Sequence, residues 1–349
     1  MVSPAPPRGA MRTLPPAHRP LAGALALGPA LLDRARASPA APWLAASLVD
    51  GPAVVLGALQ RAARVVDLAA CAARGVPVVR RATTGTAAFL GGRGVVWTLA
   101  LPHVAALAPD ATARTLLNRN VRGFLKGFAR AGAPAHYGGR EWIALQHRPA
   151  ALLGVEAARD GAVLIEVFAG QDAPLAVPAE LAAPDERAVD RWLGKAPAAL
   201  AEVLPARTSL EALAQAVVDA VALRAALPRV DGGEAPELAE GPFQPITAPD
   251  DPAPPGAGAA VVARVPIGWI EAAALGGAPA RAWLGGDVLT GRWLLEELGR
   301  GEAAAPLDAG TAPLEGASLA DLRALAQRAL SAGAAVRDHR GSGGHGGSS

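Results

Sequence analysis

Lysine is nearly missing from this chain. Of 349 residues only Lys126 and Lys195 are lysine, so arginine carries almost all of the 33 Lys+Arg charges. Arginine stays charged with a planar donor fork, whereas lysine can be tuned into a base or set as a compact point charge. Chemistry that needs a lysine therefore has two places to draw from. Cysteine is scarcer still: Cys71 stands alone, which rules out an intramolecular disulfide and leaves a cysteine-based metal site short of ligands. A reducing, cytoplasmic setting fits that usage. Aromatics reach only 4%, and the formal net charge is +2 with the arginines scattered along the chain. Nucleic-acid binders gather their charge into a stripe with interleaved aromatics, so nucleic acid is not an expected partner. Long apolar runs are also lacking. The segment Leu21 to Leu32 is too short to span a bilayer, and no membrane partner is expected. Because it follows Arg12 and Arg19 and precedes Ala35-Arg36-Ala37, it reads either as a secretory signal or as an Ala/Leu helix packed on a core.

What is present is ample core material, with 51% hydrophobic residues, enough for one large domain and a small one. Residues 1–18 are Pro-rich and read as a disordered leader. The stretch from Leu48 to Arg61 contains a strand candidate ending near Gly57, and a helix follows over Val65–Gly75. "VPVVRR", "AAFL" and "GVVWTLAL" read as strands, the last two around a Gly-Gly-Arg-Gly turn. An amphipathic helix then runs to Gly132. Three more strands come next, the last two joined by a hairpin at Asp160-Gly161. Val189, Trp192, Leu193, Ala196, Leu200 and Val203 line one face of an expected helix. Another begins at a capping box, Thr208-Ser-Leu-Glu211, and stops at Pro228. Residues 229–258 read as a Pro/Gly/acidic linker. Three short strands follow, then a helix capped by Asp287, a last helix from about Ser318, and a flexible tail over residues 336–349. The fold class is α/β (α+β): a largely antiparallel mixed sheet flanked by helices, with a small C-terminal α+β domain.

The stretch from Val78 to Pro102 is the most suggestive of chemistry. Arg80 and Arg81 leave a β-branched run and enter Thr83-Thr84-Gly85-Thr86. Backbone N–H groups converging beside a glycine make an anion cradle, and arginines add bidentate donors. Equally, the threonines open a plain hairpin. Both readings stand on the residues alone.

The order of residues in "GPAVVLGALQRAARVVDLAACAARGVPVVRRATTGTAAF", followed by "WTLALP", resembles the start of the catalytic domain of the lipoate–protein ligase A family, within the biotin/lipoate ligase superfamily. "ARAWLGGDVLTGRWLLEELGRG" is similar to that family's C-terminal accessory domain. The resemblance implies a ligase-like catalytic domain over residues 19–228 and an accessory domain over 259–335. It also implies ATP-dependent activation of lipoate or octanoate to an acyl-adenylate, followed by transfer to a lysine of a lipoyl-carrier domain. Carried over, Arg80 and Arg81 are the family arginines, Thr83 to Thr86 the phosphate- and acyl-facing loop, and Gly57 the glycine closing an early pocket strand.

The departures are several. Only Gly85 survives of a glycine triplet, and each added Cβ crowds a ligand. Leu90 stands at the family's histidine, and Arg93 sits in a turn that usually carries a small residue. At the strand of the essential lysine this chain reads Arg148-Pro149, so Arg148 is the candidate substitute cation. At the Asn-Asp site it reads Gly139-Arg140-Glu141, leaving Glu141 as the acid available for magnesium. Cys71 reads as a buried structural thiol, since no histidine is close to it in sequence. His103, His136 and His147 match no metal spacing, and Asp160 reads as a turn residue. Glu166 alternates in step with Leu164 and Phe168, which gives it a buried or pocket-facing side of its strand or else a solvent face. Three functional readings follow: an active ligase using Arg148, a non-catalytic relative that binds an acyl group, a nucleotide or a carrier domain, and an interaction protein whose pocket has filled with side chains.

Overall fold

The structure is a computed structural model, and it describes residues 10–37, 41–236, 260–275, 280–300 and 314–341. Most of the expected linker and the end of the tail lie outside the described residues.

The strands of the larger half are β1 (Met11–Thr13), β2 (Ala17–His18), β3 (Trp43–Val49), β4 (Ala53–Leu56), β5 (Val78–Arg80), β6 (Ala88–Leu90), β7 (Gly94–Leu101), β8 (Ala135–Tyr137), β9 (Trp142–Leu145), β10 (Arg148–Ala157), β11 (Val163–Gly170) and β12 (Arg229–Asp231). Its helices are α1 (Leu21–Ala37), α2 (Ala62–Val65), α3 (Leu68–Ala73), α4 (Leu116–Arg130), α5 (Pro184–Arg187), α6 (Leu200–Val203) and α7 (Leu210–Ala225). The smaller half comprises β13 (Val261–Val265), β14 (Gly268–Leu275), β15 (Arg281–Gly286), β16 (Leu289–Thr290), α8 (Arg292–Leu298), β17 (Leu314–Glu315) and α9 (Leu319–Gly341).

A mixed sheet runs in the order β12-β1-β3-β7-β11-β10-β9-β8, with β2 added beside β3. From β3 onward its neighbours are antiparallel, while β1 pairs in parallel with both β3 and β12. Period-2 alternation divides the side chains of β11. Val163, Ile165 and Val167 join the core beneath α4 and α7, where Trp97 meets Phe128 edge-on. Leu164 and Phe168 turn to the opposite face, which carries α1 and the three-stranded sheet β5-β4-β6. The Ala/Leu segment is thus α1, packed on the sheet with Leu27 and Leu31 fully buried.

Four sequence expectations are corrected. The leader is not wholly disordered: Met11 is buried, and Met11–Thr13 pairs with Arg229–Asp231, so the expected linker also begins as a strand. The segment before Gly57 is two strands, β3 and β4, rather than one. The helix expected through Val189–Val203 is instead turns and coil as far as Ala199, with α6 alone helical. Leu193 and Gly194 adopt positive φ, and Pro197 cannot continue a helix. Asp287 does not cap a helix, because Gly291 is the N-cap of α8 and Asp287 is wholly buried elsewhere.

The loop after β5 and its surroundings

The loop between β5 and β6 lies against β10, and the Thr84 N–H donates to the Val155 carbonyl at 2.8 Å. It is compact because glycine permits two close approaches. A Cβ on Gly57 would sit 2.1 Å from the Gly85 carbonyl oxygen, and Gly85 itself has φ +110°. Both carbonyl-lined approaches require the missing side chain.

Arg80 is half-buried and turns back on the chain. Its Nη1 donates to the carbonyls of Gly57 at 2.9 Å, Ala58 at 3.3 Å and Gln60 at 2.5 Å, which pins the turn after β4. Arg81 is 2% exposed. Its Nη2 donates to the Thr84 and Thr86 carbonyls at 3.2 and 2.8 Å, and its guanidinium lies 5.2 Å above the Phe168 ring. Burial lowers its pKa to about 10, against the opposing charges of Glu166 and Asp287. The anion that Arg81 senses is therefore one of the protein's own.

That anion, Glu166, is fully buried and accepts a hydrogen bond from the Thr83 hydroxyl at 2.5 Å. Burial pushes its pKa up to about 7, while the Thr83 hydrogen bond and the Arg81 charge pull it down. The sequence alternation puts Glu166 in step with Leu164 and Phe168 and leaves its face open between buried and solvent. No sequence signal marked the element that closes the loop. The Thr84 hydroxyl lies 2.7 Å from the Thr290 carbonyl and accepts from the Thr290 N–H at 2.9 Å, so β16 of the smaller half sits directly on it. A Cβ on Gly85 would meet Leu289 Cδ2 at 2.7 Å, the Leu153 carbonyl at 2.9 Å and Arg81 Nη2 at 3.0 Å. Nothing larger than a hydrogen atom fits there.

Charged contacts clamp the smaller half in this position. Asp287 receives Gln60 Nε2 at 2.6 Å, the Trp269 N–H at 3.0 Å and Arg191 Nη2 at 3.3 Å. Burial raises the Asp287 pKa to about 6, with Arg191 opposing. Arg191 also binds Glu186 through two nitrogens, at 2.9 and 2.6 Å. Glu271 lies 3.4 Å from both Arg61 and Arg64, Glu156 meets Arg292 at 3.1 Å, and Glu297 meets Arg159 at 2.6 Å. Apart from Arg191–Glu186, these contacts join residues far apart in sequence, so no local pattern marks them.

Gly57, Arg80, Arg81, Thr83, Thr84, Gly85 and Thr86 are thus brought together, and three other candidates have partners elsewhere in the fold. Arg148 stands seven residues before Val155 on β10, roughly 20 Å along an extended strand. There it pairs with Glu202 at 2.7 Å and donates to the carbonyls of Ala196 and Pro197. Arg93 forms an exposed pair with Asp172 at 2.9 Å. Glu141 is fully buried and held by Arg140, Nε to Oε2 at 3.0 Å, with burial raising its pKa. Leu90 and Cys71 are core residues, and Asp160 combines the hairpin turn with a 2.9 Å contact to Arg36. His136 and His147 stack at 5.1 Å, without a third ligand. No group of three or more potential metal ligands occurs among the described residues. No described helix is long and apolar enough to cross a membrane. Cavities of about 190, 230 and 280 Å³ exist, but none is lined by Arg80, Arg81, Thr83–Thr86 or Arg148.

A large mixed sheet with this arginine-bearing loop on one face places the chain in the lipoate ligase fold class. It is similar to the structure of P. falciparum LipL1 in complex with lipoate, at TM-score 0.58 and 13% identity over 78% of this chain and 84% of that one. It is also similar to protein Ta0514 from T. acidophilum with bound lipoic acid, at TM-score 0.50 and 14% identity over 64% and 89%. At such identities the likeness speaks for the fold. No curated protein matches the chain in sequence. Residues 21–164 match the lipoyl protein ligase A/B catalytic domain.

Proposed function

We propose that this chain is a non-catalytic relative of the lipoate–protein ligases, one that keeps the ligase fold for binding an acyl group or a carrier domain. The observation that carries this reading is the enclosure of Arg81, which spends its Nη2 donors on the Thr84 and Thr86 carbonyls and faces Glu166. Adenylation places growing negative charge on phosphate oxygens, and catalysis of it depends on donors already aimed at that charge. A nucleotide phosphate at this loop would have to displace Leu289 and Thr290 and compete with a buried carboxylate for the same guanidinium. The residues present therefore do not fit ATP and magnesium at the loop, and no step is routed through them. Lys126 lies on α4, beneath the opposite face of the sheet, and Lys195 follows the turn at Gly194; both stand outside the loop.

The second reading is an ATP-dependent ligase that activates lipoate or octanoate and passes the acyl group to a carrier lysine. One observation favours it: Arg81 Nε and Nη1 have no hydrogen-bond partner, so donors remain if the smaller half moves away. ATP–pyrophosphate exchange with lipoate or octanoate separates the two. The non-catalytic reading expects exchange at the protein-free rate. Exchange that depends on the acid would establish the ligase instead.

A further inference from the structure

The smaller half holds a cavity of about 280 Å³ between the outer edge of β15 and α8, away from the arginine loop. Its floor is apolar: Trp283 and Leu284 come from β15, Leu295 from α8, and Leu59 from the turn after β4. Its rim carries the exposed guanidiniums of Arg281, Arg292 and Arg300, with Glu296 as the acidic neighbour.

The backbone of β15 adds a donor. Ala282, Leu284 and Gly286 share one pleat parity opposite β14. The Ala282 N–H points away from β14 to the Gly299 carbonyl at 2.7 Å, and the Gly286 N–H to the Leu59 carbonyl at 2.9 Å. By the same parity the Leu284 N–H faces that edge between them, with no backbone acceptor across from it among the described residues. Because both flanking positions are already paired, an added peptide strand has no room to continue the ladder. What fits is a small molecule with one acceptor group.

The charges specify its sign. Arg292 is engaged with Glu156, and Arg300 with Glu297 at 3.2 Å. Arg281 has no carboxylate within ion-pair distance among the described residues, which leaves one guanidinium for an incoming anion. A single carboxylate can accept from a backbone N–H and an arginine together. The floor of leucines and indole then suits an apolar tail, and the volume lies just under the range of drug-sized ligand pockets.

We propose that this cavity binds a monocarboxylic acid with a short to medium apolar chain, its carboxylate at the Leu284 N–H and Arg281 and its chain against Leu59, Trp283 and Leu295. The site is separate from the arginine loop and does not depend on whether that loop is catalytic. Calorimetric titration of the full chain with octanoate tests it, with octanamide as the uncharged control and Arg281→Glu as the variant. Arg281 is exposed, so the variant is expected to fold, which circular dichroism checks. The expected result is saturable one-to-one octanoate binding, weakened at least fivefold both in Arg281→Glu and with octanamide. Absence of saturable octanoate binding overturns the proposal, as does a smaller change in either comparison. Pyrophosphate exchange reads the function of the loop separately, so either account can fail without the other.

Discussion

Replacing Gly85 with alanine should destabilise the protein, and trimming Leu289 should recover part of the loss. Gly85 has φ +110°, where a Cβ costs about 1–2 kcal/mol. The new methyl would also press on Leu289 Cδ2 at 2.7 Å and the Leu153 carbonyl at 2.9 Å. Overpacking of that kind costs about 1–3 kcal/mol, so Gly85→Ala should lose roughly 2–5 kcal/mol. Leu289→Ala, at a 1% exposed position, should lose about 3 kcal/mol through its cavity. In the double variant the alanine at 85 occupies space that Leu289 has vacated, while the backbone cost and the Leu153 contact persist. The two losses should therefore fall short of additivity by about 1–2 kcal/mol. Denaturant unfolding of the wild type, both single variants and the double variant measures that coupling. Additivity within about 0.3 kcal/mol would refute the reasoning, because it would mean that Leu289 does not rest on Gly85.

Further predictions concern the buried charges. Arg191→Met leaves Asp287 and Glu186 without their shared cation, and unfolding free energy should fall by about 3–5 kcal/mol in denaturant titration. The pKa of Glu166 is about 7 in the fold against an ordinary 4.5, so the folded state holds the extra proton between those values. Unfolding free energy should then be highest below about pH 4.5 and decline as pH rises to about 7. Glu166→Gln should flatten that decline by roughly 3 kcal/mol at most, measured as stability against pH. Glu156, raised by burial to about 7, and Asp287, raised to about 6, act in the same direction, so part of the slope should survive. Arg148→Ala removes a partly exposed pair with Glu202 and should cost no more than about 1 kcal/mol. A larger loss in thermal unfolding would mean that Arg148 is more than a surface clamp.

The sequence carried the parts of this account whose causes are local. The alternation of Leu164, Glu166 and Phe168 put Glu166 in step with two large apolar side chains, and the Asp160-Gly161 turn marked the β10–β11 hairpin. The arginine pair and Gly85 marked the loop. What stayed hidden depends on partners far along the chain. The three-residue strands β1 and β12 exist because they pair across more than 200 positions. Asp287 looked like a helix cap because its partner Arg191 is 96 residues away. The helix expected at Val189–Val203 had the right apolar spacing, but Leu193-Gly194 turn left-handed and Pro197 denies a helical N–H. The resemblance to the ligase family fixed the fold and the position of the loop. It did not reveal that Leu289 and Thr290 close it, since that contact joins residues some two hundred positions apart.

The central claim is that Arg81 is enclosed by the protein's own groups and takes no nucleotide. Calorimetric titration of the full chain with magnesium ATP tests this directly. The account predicts no saturable heat up to about 1 mM ATP, the concentration at which binding free energy would still be only about 4 kcal/mol. A one-to-one isotherm with a submillimolar Kd, lost in a folded Arg81→Lys variant, would contradict it.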